Sequence, residues 1–464
     1  MRRFRIRGRR RIPRAPRRIA EIRLPTKEGA LIRAELAKPL VRGCERSVLA
    51  LIGLAKTTDH DCILVRQVVP IPDEAYFPMR EGAAWSPLVT GQALSQGMRL
   101  GAGLLLIHAH PGSKAPRLSI TDHVSFQTLL PRCIDLLPNR PHGSIVLGNG
   151  GAIGGLIWLP GRPPTEVVEV GEARWLKSPV VRHPQPPRLR PRRFAIYDRQ
   201  EMLIGPDGQS LLSQTTLGVV GLGGGGSHIV QQAAHMGFGR LILIDPDRVE
   251  DTNLSRLVGA GPSDTGRLKT EVMEDLVRRV NPDVTVDTCA ERFPSAAAIE
   301  SVKECDILVS ALDSYTARAE VQKVAWRFLI PLIDIGLGIR VNDDGALRRA
   351  MAIAGHMHVY LPGGPCMWCS DLVTEEKLSE ERGGNAVPYV VGVSAPQVIH
   401  FNGLLASQAM VEAMQLVTGF IDDSERTGFL TYRGMRGEVV QAVPSRRPDC
   451  STCATELGAG DTVW

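Results

Sequence analysis

TTLGVVGLGGGGSHIVQQAAHMGFGRLILID, Thr215 to Asp245, runs from a β-branched stretch through a glycine turn and a helix-period segment to a second apolar stretch that ends in an acid. Gly221, Gly223 and Gly226 form G-x-G-x-x-G between strand and helix, so backbone N–H groups at the helix N-terminus face the turn at close range and suit a phosphate. Asp245 follows Gly226 by 19 residues, where a carboxylate can take both hydroxyls of a ribose. The stretch predicts a strand–helix–strand unit in a mostly parallel sheet. By itself it fits NAD and ATP equally well.

Working outward, the chain has 464 residues, 43% of them hydrophobic and 22% charged, which is enough for two or three domains with separate cores. Ahead of the glycine turn, KSPVVRHPQPPRLRPRR (Lys177 to Arg193) reads as an extended linker, because its prolines join neither a helix nor a central strand. The expected division is an Arg-rich tail over 1–20, an α/β domain over 21–165, a Pro/Arg-rich linker over 166–196 and a second α/β domain over 197–464. The first domain reads as strand-rich, with a helix-like segment near Glu45 to Ala55 and two short strands in GSIVLGNGGAIGGLIWLPG. The first twenty residues hold ten arginines and no acid, and removing those ten charges from the net +6 leaves −4. Basicity is thus a property of the tail, which suits RNA, a membrane surface or an acidic partner. No run reaches the roughly 18 apolar residues that span a bilayer, and no apolar secretory segment leads the chain, so the expected location is cytoplasmic.

Downstream of the turn, DPDRVEDTNLSR, GRLKTEV and VSALDSYTAR place Asp247, Asn253, Arg256, Lys269 and Asp313 in one order. With Tyr197-Asp198-Arg199-Gln200 ahead of the turn, this order resembles the ThiF/MoeB and ubiquitin-activating (E1-like) adenylyltransferases from Tyr197 to about Thr455. The resemblance implies a Rossmann-like, mostly parallel sheet that binds ATP and Mg²⁺. It gives Asp245 to the ribose, Arg256 and Lys269 to the phosphates, and Asp313 to the magnesium and triphosphate; Gly221, Gly223, Gly226, Asp247 and Asn253 complete the nucleotide set. It also implies a homodimer in which Arg199 reaches the neighbouring subunit's ATP. The chemistry needs such cations, because a carboxylate approaches the α-phosphorus only after the triphosphate charge is neutralised.

Nine cysteines include two C-x-x-C pairs, Cys366 with Cys369 and Cys450 with Cys453, and two such knuckles suit one structural, four-coordinate Zn²⁺. Relatives of the ubiquitin-activating type carry a thioester cysteine after the first pair. Here that segment, SDLVTEEKLSEERGGNAVPYVVGVSAP, has none. The acyl group is therefore expected to pass to a separate sulfur donor or conjugating enzyme.

HAHPGSKAPRLSITD, His108 to Asp122, ends an apolar run with two imidazoles and a later carboxylate. His108, His110 and Asp122 are the ligand types of a catalytic zinc that keeps a fourth position open. The stretch resembles the JAMM (MPN/JAB) metalloproteases, with eight rather than seven residues between His110 and Ser119. That resemblance implies an N-terminal α/β JAMM/MPN domain in which Glu45 deprotonates water and Ser119 donates to the oxyanion; Glu74 and Glu81 are weaker candidates for the base. Together the two resemblances imply that one substrate visits both sites. It would be a ubiquitin-like or sulfur-carrier protein whose C-terminal glycine is freed at the zinc and adenylated with ATP. Two other readings stand beside this one: a tRNA-modifying enzyme of the same ATP-binding family, its Arg tail holding RNA, and a non-catalytic binder of ubiquitin-like tails.

Overall fold

The computed structural model describes residues 19–58, 60–78, 83–183, 194–342, 349–383, 396–422 and 427–461. The Arg-rich tail up to residue 18, Glu81 and residues 184–193 of the expected linker lie outside them. Among the described residues there are two eight-stranded sheets.

The first sheet contains β1 (Ile19–Pro25), β2 (Ser47–Lys56), β3 (Asp61–Pro70), β4 (Gly103–Ala109), β5 (His142–Leu147), β6 (Ile153–Trp158), β7 (Val167–Leu176) and β8 (Val181–His183). Their order is β1-β3-β2-β4-β5-β6-β7-β8, and β1 also pairs with β7, so the sheet closes on itself. Three helices cover it: α1 (Thr26–Leu36), α2 (Pro87–Leu100) and α3 (Ile120–Leu136). Inside, Ile22, Ala50, Ile52, Ile63, Leu105 and Ile145 form a core from which water is excluded.

Two expectations fail here. The helix-like segment near Glu45 to Ala55 is strand β2, paired on both sides by β3 and β4. Seven of its first eight residues are completely or nearly buried, and a strand buried on both faces reads as a continuous apolar run, which periodicity does not separate from a buried helix. Residues 166–183 are not linker: β7 closes the sheet against β1, and β8 adds an edge strand to β7. Of the prolines that suggested a linker, Pro179 falls between β7 and β8 instead of interrupting either, and the others lie outside the described residues.

The second sheet runs β11-β10-β9-β12-β13-β14-β15-β16. Its strands are β9 (Thr216–Val220), β10 (Arg240–Ile244), β11 (Thr285–Cys289), β12 (Ile307–Ser310), β13 (Leu332–Val341), β14 (Ala350–Tyr360), β15 (Phe429–Arg433) and β16 (Glu438–Gln441). From β11 to β13 all pairings are parallel, and beyond β13 they are antiparallel. The helices are α4 (Asp198–Leu212), α5 (Gly224–Met236), α6 (Lys269–Val280), α7 (Ala296–Val302), α8 (Tyr315–Arg327), α9 (Glu375–Arg382), α10 (Ile399–Thr418) and α11 (Ser451–Thr455). The order reverses at β9, between β10 and β12, and such a switch point opens a crevice beyond the strands' C-terminal ends. None of the described helices is long and apolar enough to cross a membrane.

The two sheets share a seam. Ala55, Cys62, Leu64 and Leu176 of the first pack in one apolar cluster with Trp326, Phe328 and Tyr360 of the second unit. Arg174 and Arg182 both grip Asp306 (2.6 and 2.5 Å), while Arg174 and Arg23 hold Glu21 (2.8 Å each). Paired in this way, buried charges avoid the several kcal/mol that a lone buried ion costs. The end of the described chain completes the joint: the Asp461 amide donates to the Leu54 carbonyl, and the Asp461 carboxylate accepts from the Lys56 amide.

Candidate functional site

The crevice beyond β9, β10 and β12 is a cavity of about 360 Å³. Gly221 (φ 90°) turns the chain there in the left-handed region that glycine tolerates. Gly226 packs its helix onto the Gly221 carbonyl so tightly that a Cβ would collide. No side chain caps α5, so its first-turn amides are open to a ligand.

Asp245 enters the cavity from the end of β10 with one carboxylate oxygen on the Leu222 amide (2.6 Å) and the other on the Asp247 amide (2.8 Å). Burial lifts it above its ordinary pKa, opposed by the Lys269 ammonium. Lys269 starts α6, is buried, and lies 2.8 Å from Asp247 and 3.9 Å from Asp245. Arg256 lines the wall with its guanidinium on the Thr252 carbonyl (2.7 Å) and without a carboxylate partner among the described residues. Asp313, exposed, follows Leu312 on the opposite rim.

Of the expected nucleotide set, the cavity is lined by Gly221, Gly223, Asp245, Asp247, Arg256, Lys269 and Asp313. Three residues stand elsewhere. Gly226 serves helix-to-strand packing, and Asn253 spends its side chain on its own turn, accepting from the Glu250 amide and donating to Thr252. Arg199 projects from α4 into solvent.

Sequence reading missed the layer beneath. Arg318 is wholly buried, bonds Asp334, and donates to the carbonyls of Leu312 and Ile335, both in the cavity wall. His356 (2.7 Å) and Ser310 also hold Asp334. Burial pushes the Asp334 carboxyl up, but Arg318 and His356 outweigh it and keep the carboxyl below its ordinary pKa. The loop carrying Asp313 is thereby pinned one residue away from it. Arg318, five residues after Asp313 on the buried face of α8, was the available signal.

A second group of functional side chains gathers at the end of β4. His108 Nε2 is 3.3 Å from His110 Nε2 and 3.2 Å from Asp122 Oδ2, and His110 Nε2 is 3.7 Å from the same oxygen. Ligands about 2.05 Å from a tetrahedral zinc stand about 3.3 Å apart, so these atoms fit one such ion. Ser119 caps α3 in a reciprocal pair, its Oγ accepting from the Asp122 amide (3.2 Å) while its own amide donates to Asp122 Oδ2 (2.7 Å). In the loop between His110 and Ser119, Asn149 accepts from the Gly112 amide and its own amide donates to the Ser113 carbonyl. Glu45 precedes strand β2 and not a helix; it is exposed, lies two residues before Ser47, which pairs with His108, and favours the charged form of that imidazole electrostatically. Burial, the larger effect, holds His108 below its ordinary pKa. Glu74 sits in a 3₁₀ turn of residues 73–75.

Four sulfurs form the third group. Cys366 lies 3.6 Å from Cys369 and 3.5 Å from Cys450, and Cys369 lies 3.9 Å from Cys453. Zn–S bonds of about 2.3 Å predict S···S edges of about 3.8 Å, so this set also fits. Glu21, His60 and Cys62 lie similarly close, but Glu21 is already committed to Arg23 and Arg174, so that trio offers no free carboxylate to a metal.

The cavity and the histidine pair each stand some way along their own element from a contact of the seam. Along α10, Asn402 of the cavity stands about 21 Å from Leu416, whose carbonyl accepts from Val180 at the seam. Along β2, Ser47 beside His108 stands about 23 Å from Leu54, which bonds Asp461.

Residues 197–452 match the sequence profile of the ThiF family. The chain is 31% identical over 252 residues to the SAMP-activating enzyme E1 of Haloferax volcanii, an alignment covering 54% of this chain and 84% of that one. It is 27% identical over 260 residues to the molybdopterin-synthase adenylyltransferase of Escherichia coli, covering 55% and 95%. To the sulfur carrier protein adenylyltransferase of Thermus thermophilus it is 28% identical over 262 residues, covering 56% and 90%.

Proposed function

The chain belongs to the ThiF family, and from that premise we propose that residues 197–464 adenylate the C-terminal carboxylate of a ubiquitin-like or sulfur-carrier protein, while the first sheet acts on the same tail as a JAMM-type zinc peptidase. The observation that carries the first half is the cavity itself: open helix amides, Lys269, Arg256 and the carboxylates of Asp245, Asp247 and Asp313 surround one switch-point crevice. Asp245 takes the ribose hydroxyls. Lys269 leaves Asp247 for the triphosphate, and Arg256 brings a guanidinium with no competing carboxylate. The tail carboxylate forms a bond to the α-phosphorus, the bond from that phosphorus to the bridging oxygen breaks, and pyrophosphate leaves. Mg²⁺ held by Asp313 would supply further charge neutralisation. Arg199, exposed on α4 and away from its own chain's cavity, suits a homodimer in which it serves the neighbouring site.

In the first sheet, His108, His110 and Asp122 would hold zinc, which supplies Lewis acidity when bound. Glu45 takes the proton of the attacking water, and the Ser119 hydroxyl, its oxygen already accepting from Asp122, keeps its proton free for the developing oxyanion. The four cysteines would hold a structural zinc. No thiol follows Cys369 before α10, so the acyl group leaves to a separate sulfur donor or conjugating enzyme.

One experiment tests both halves: ATP–pyrophosphate exchange by the full chain with a carrier protein supplied mature or with a short extension after its terminal glycine. Glu45→Gln should exchange normally with the mature tail and lose 10²- to 10⁴-fold with the extended one. Lys269→Ala should fail with both. Normal exchange by Glu45→Gln on the extended carrier would defeat the peptidase reading, and absence of exchange in the unaltered chain with any Gly-terminated carrier would defeat adenylation.

A further inference from the structure

Asn402 stands on the first turn of α10, 7% exposed, and lines the nucleotide cavity. Its Nδ2 is buried and has no hydrogen-bond partner among the described residues. A buried amide donor left unpaired costs about as much as a lost hydrogen bond, so an orphan on a cavity wall points to a ligand that pairs it. Its position says what kind. A Cβ placed on Gly224 would collide with Asn402 Nδ2 and would touch the Arg256 side chain, so the amide, the guanidinium and the α5 N-terminus crowd one corner. That corner gathers three sets of donors: helix amides without a cap, Arg256 without a carboxylate among the described residues, and the Nδ2 of Asn402. The carboxylates of Asp245 and Asp247 belong instead to the β10 side, where Lys269 answers them.

We propose that Asn402 is a binding residue of this cavity, its Nδ2 donating to an anionic oxygen of the reactants beside the α5 N-terminus. The inference rests on the adenylation reading and deepens it. Two reactant groups offer that oxygen, a phosphate of the nucleotide and the C-terminal carboxylate of the carrier, and they share the chemistry that Nδ2 recognises. The neighbouring helix terminus supplies the same preference through its partial positive charge.

The test compares Asn402→Leu and Asn402→Asp with the unaltered full chain, measuring Mg-ATP binding by calorimetry, carrier KM in pyrophosphate exchange, and the thermal unfolding of the unliganded protein. Leu keeps the volume and removes the donor; Asp keeps the shape and sets a negative charge against the anion. If phosphate is the acceptor, Asn402→Leu should weaken ATP about 10-fold and Asn402→Asp about 100-fold or more. If the acceptor is the carrier carboxylate, ATP affinity should hold and carrier KM should rise by similar factors. In either case the unliganded Asn402→Leu protein should unfold no earlier than the unaltered chain, since no internal bond is lost. Unchanged ATP affinity together with unchanged carrier KM in Asn402→Leu overturns the inference, as does a lowered unfolding temperature with ligand binding intact. Lys269→Ala separates this failure from the larger one: if it weakens ATP while Asn402→Leu changes neither ATP affinity nor carrier KM, only the Asn402 assignment falls, whereas a chain that binds no nucleotide takes the adenylation reading down as well.

Discussion

His142 begins β5 almost wholly inside the fold, where its Nδ1 accepts from the Leu104 amide (3.2 Å) and its Nε2 donates to the Leu137 carbonyl (3.1 Å). Both bonds need the neutral ring with its proton on Nε2, because a second proton on Nδ1 would face another N–H. Burial lowers its pKa from 6.5 to about 4. A base whose folded pKa is depressed binds fewer protons folded than unfolded across that window. Stability is therefore full above pH 6.5 and declines as the pH falls toward 4, by about 3 kcal/mol at most. Urea unfolding between pH 7 and 5 should show that decline, and His142→Phe should flatten its slope; an unchanged slope would contradict the assignment. Nothing in the sequence around His142 announces this role. The same contrast runs through the site residues. His108, His110 and Asp122 were legible because ligand types recur at a recognisable spacing, and Asp245, Arg256 and Lys269 because their order follows a glycine turn. Asn402 was not, since one amide in an apolar helix carries no pattern, and Asn253 looked like a ligand while its side chain closes its own turn.

Among the elements, the glycine turn and α5 followed directly from local rules, while β2 did not. SVLALIGLAK is apolar from Val48 to Ala55, and only its two neighbours in the sheet make it a strand. The cysteine knuckles show the reverse case: spacing alone predicted two pairs, and the fold brings all four sulfurs within one metal's reach. Their location adds a consequence. Cys453 closes the cluster in α11, and the segment just beyond it lies across the seam, with the Gly458 amide on the Trp326 carbonyl, Gly460 on Arg327 and Asp461 on Leu54. Folding free energy stored in such a metal site is lost when a ligand is removed. Cys453→Ser, or a strong chelator, should lower the unfolding temperature by more than about 5 °C and expose the chain beyond Cys453 to proteolysis. A variant that keeps both its unfolding temperature and its protection would show that the four sulfurs hold no stabilising metal.

Across the whole molecule, the seam joins two sheets that each carry one candidate site. Along their own elements the cavity stands about 21 Å and the histidine pair about 23 Å from contacts of the seam. An extended tail covers at most about 3.5 Å per residue, so roughly six free residues are needed to run from either site to its seam contact. On the proposed function, a carrier tail leaves the first sheet's site before it enters the cavity, and the fusion acts through local concentration instead of a channel. With an extended carrier and an excess of isotopically distinct mature carrier, the acyl-adenylate should carry the label in proportion to the mixed pool. Adenylate drawn almost wholly from the processed molecules would mean direct transfer and would overturn this geometry.

By itself the sequence determined the glycine-turn unit, the order of the candidate nucleotide-binding residues, the two cysteine pairs and the histidine–aspartate spacing, because each depends on neighbours along the chain or on a fixed pattern of residue types. Tertiary structure alone decided that the first sheet closes through β7, that β2 is a strand, that Arg318 and Asp334 underpin the cavity, and that the two sheets share a seam. Those outcomes depend on contacts between residues far apart in sequence, such as Ile19 to Glu169 or Arg174 to Asp306. Burial and pairing energy at that range leave no local signature.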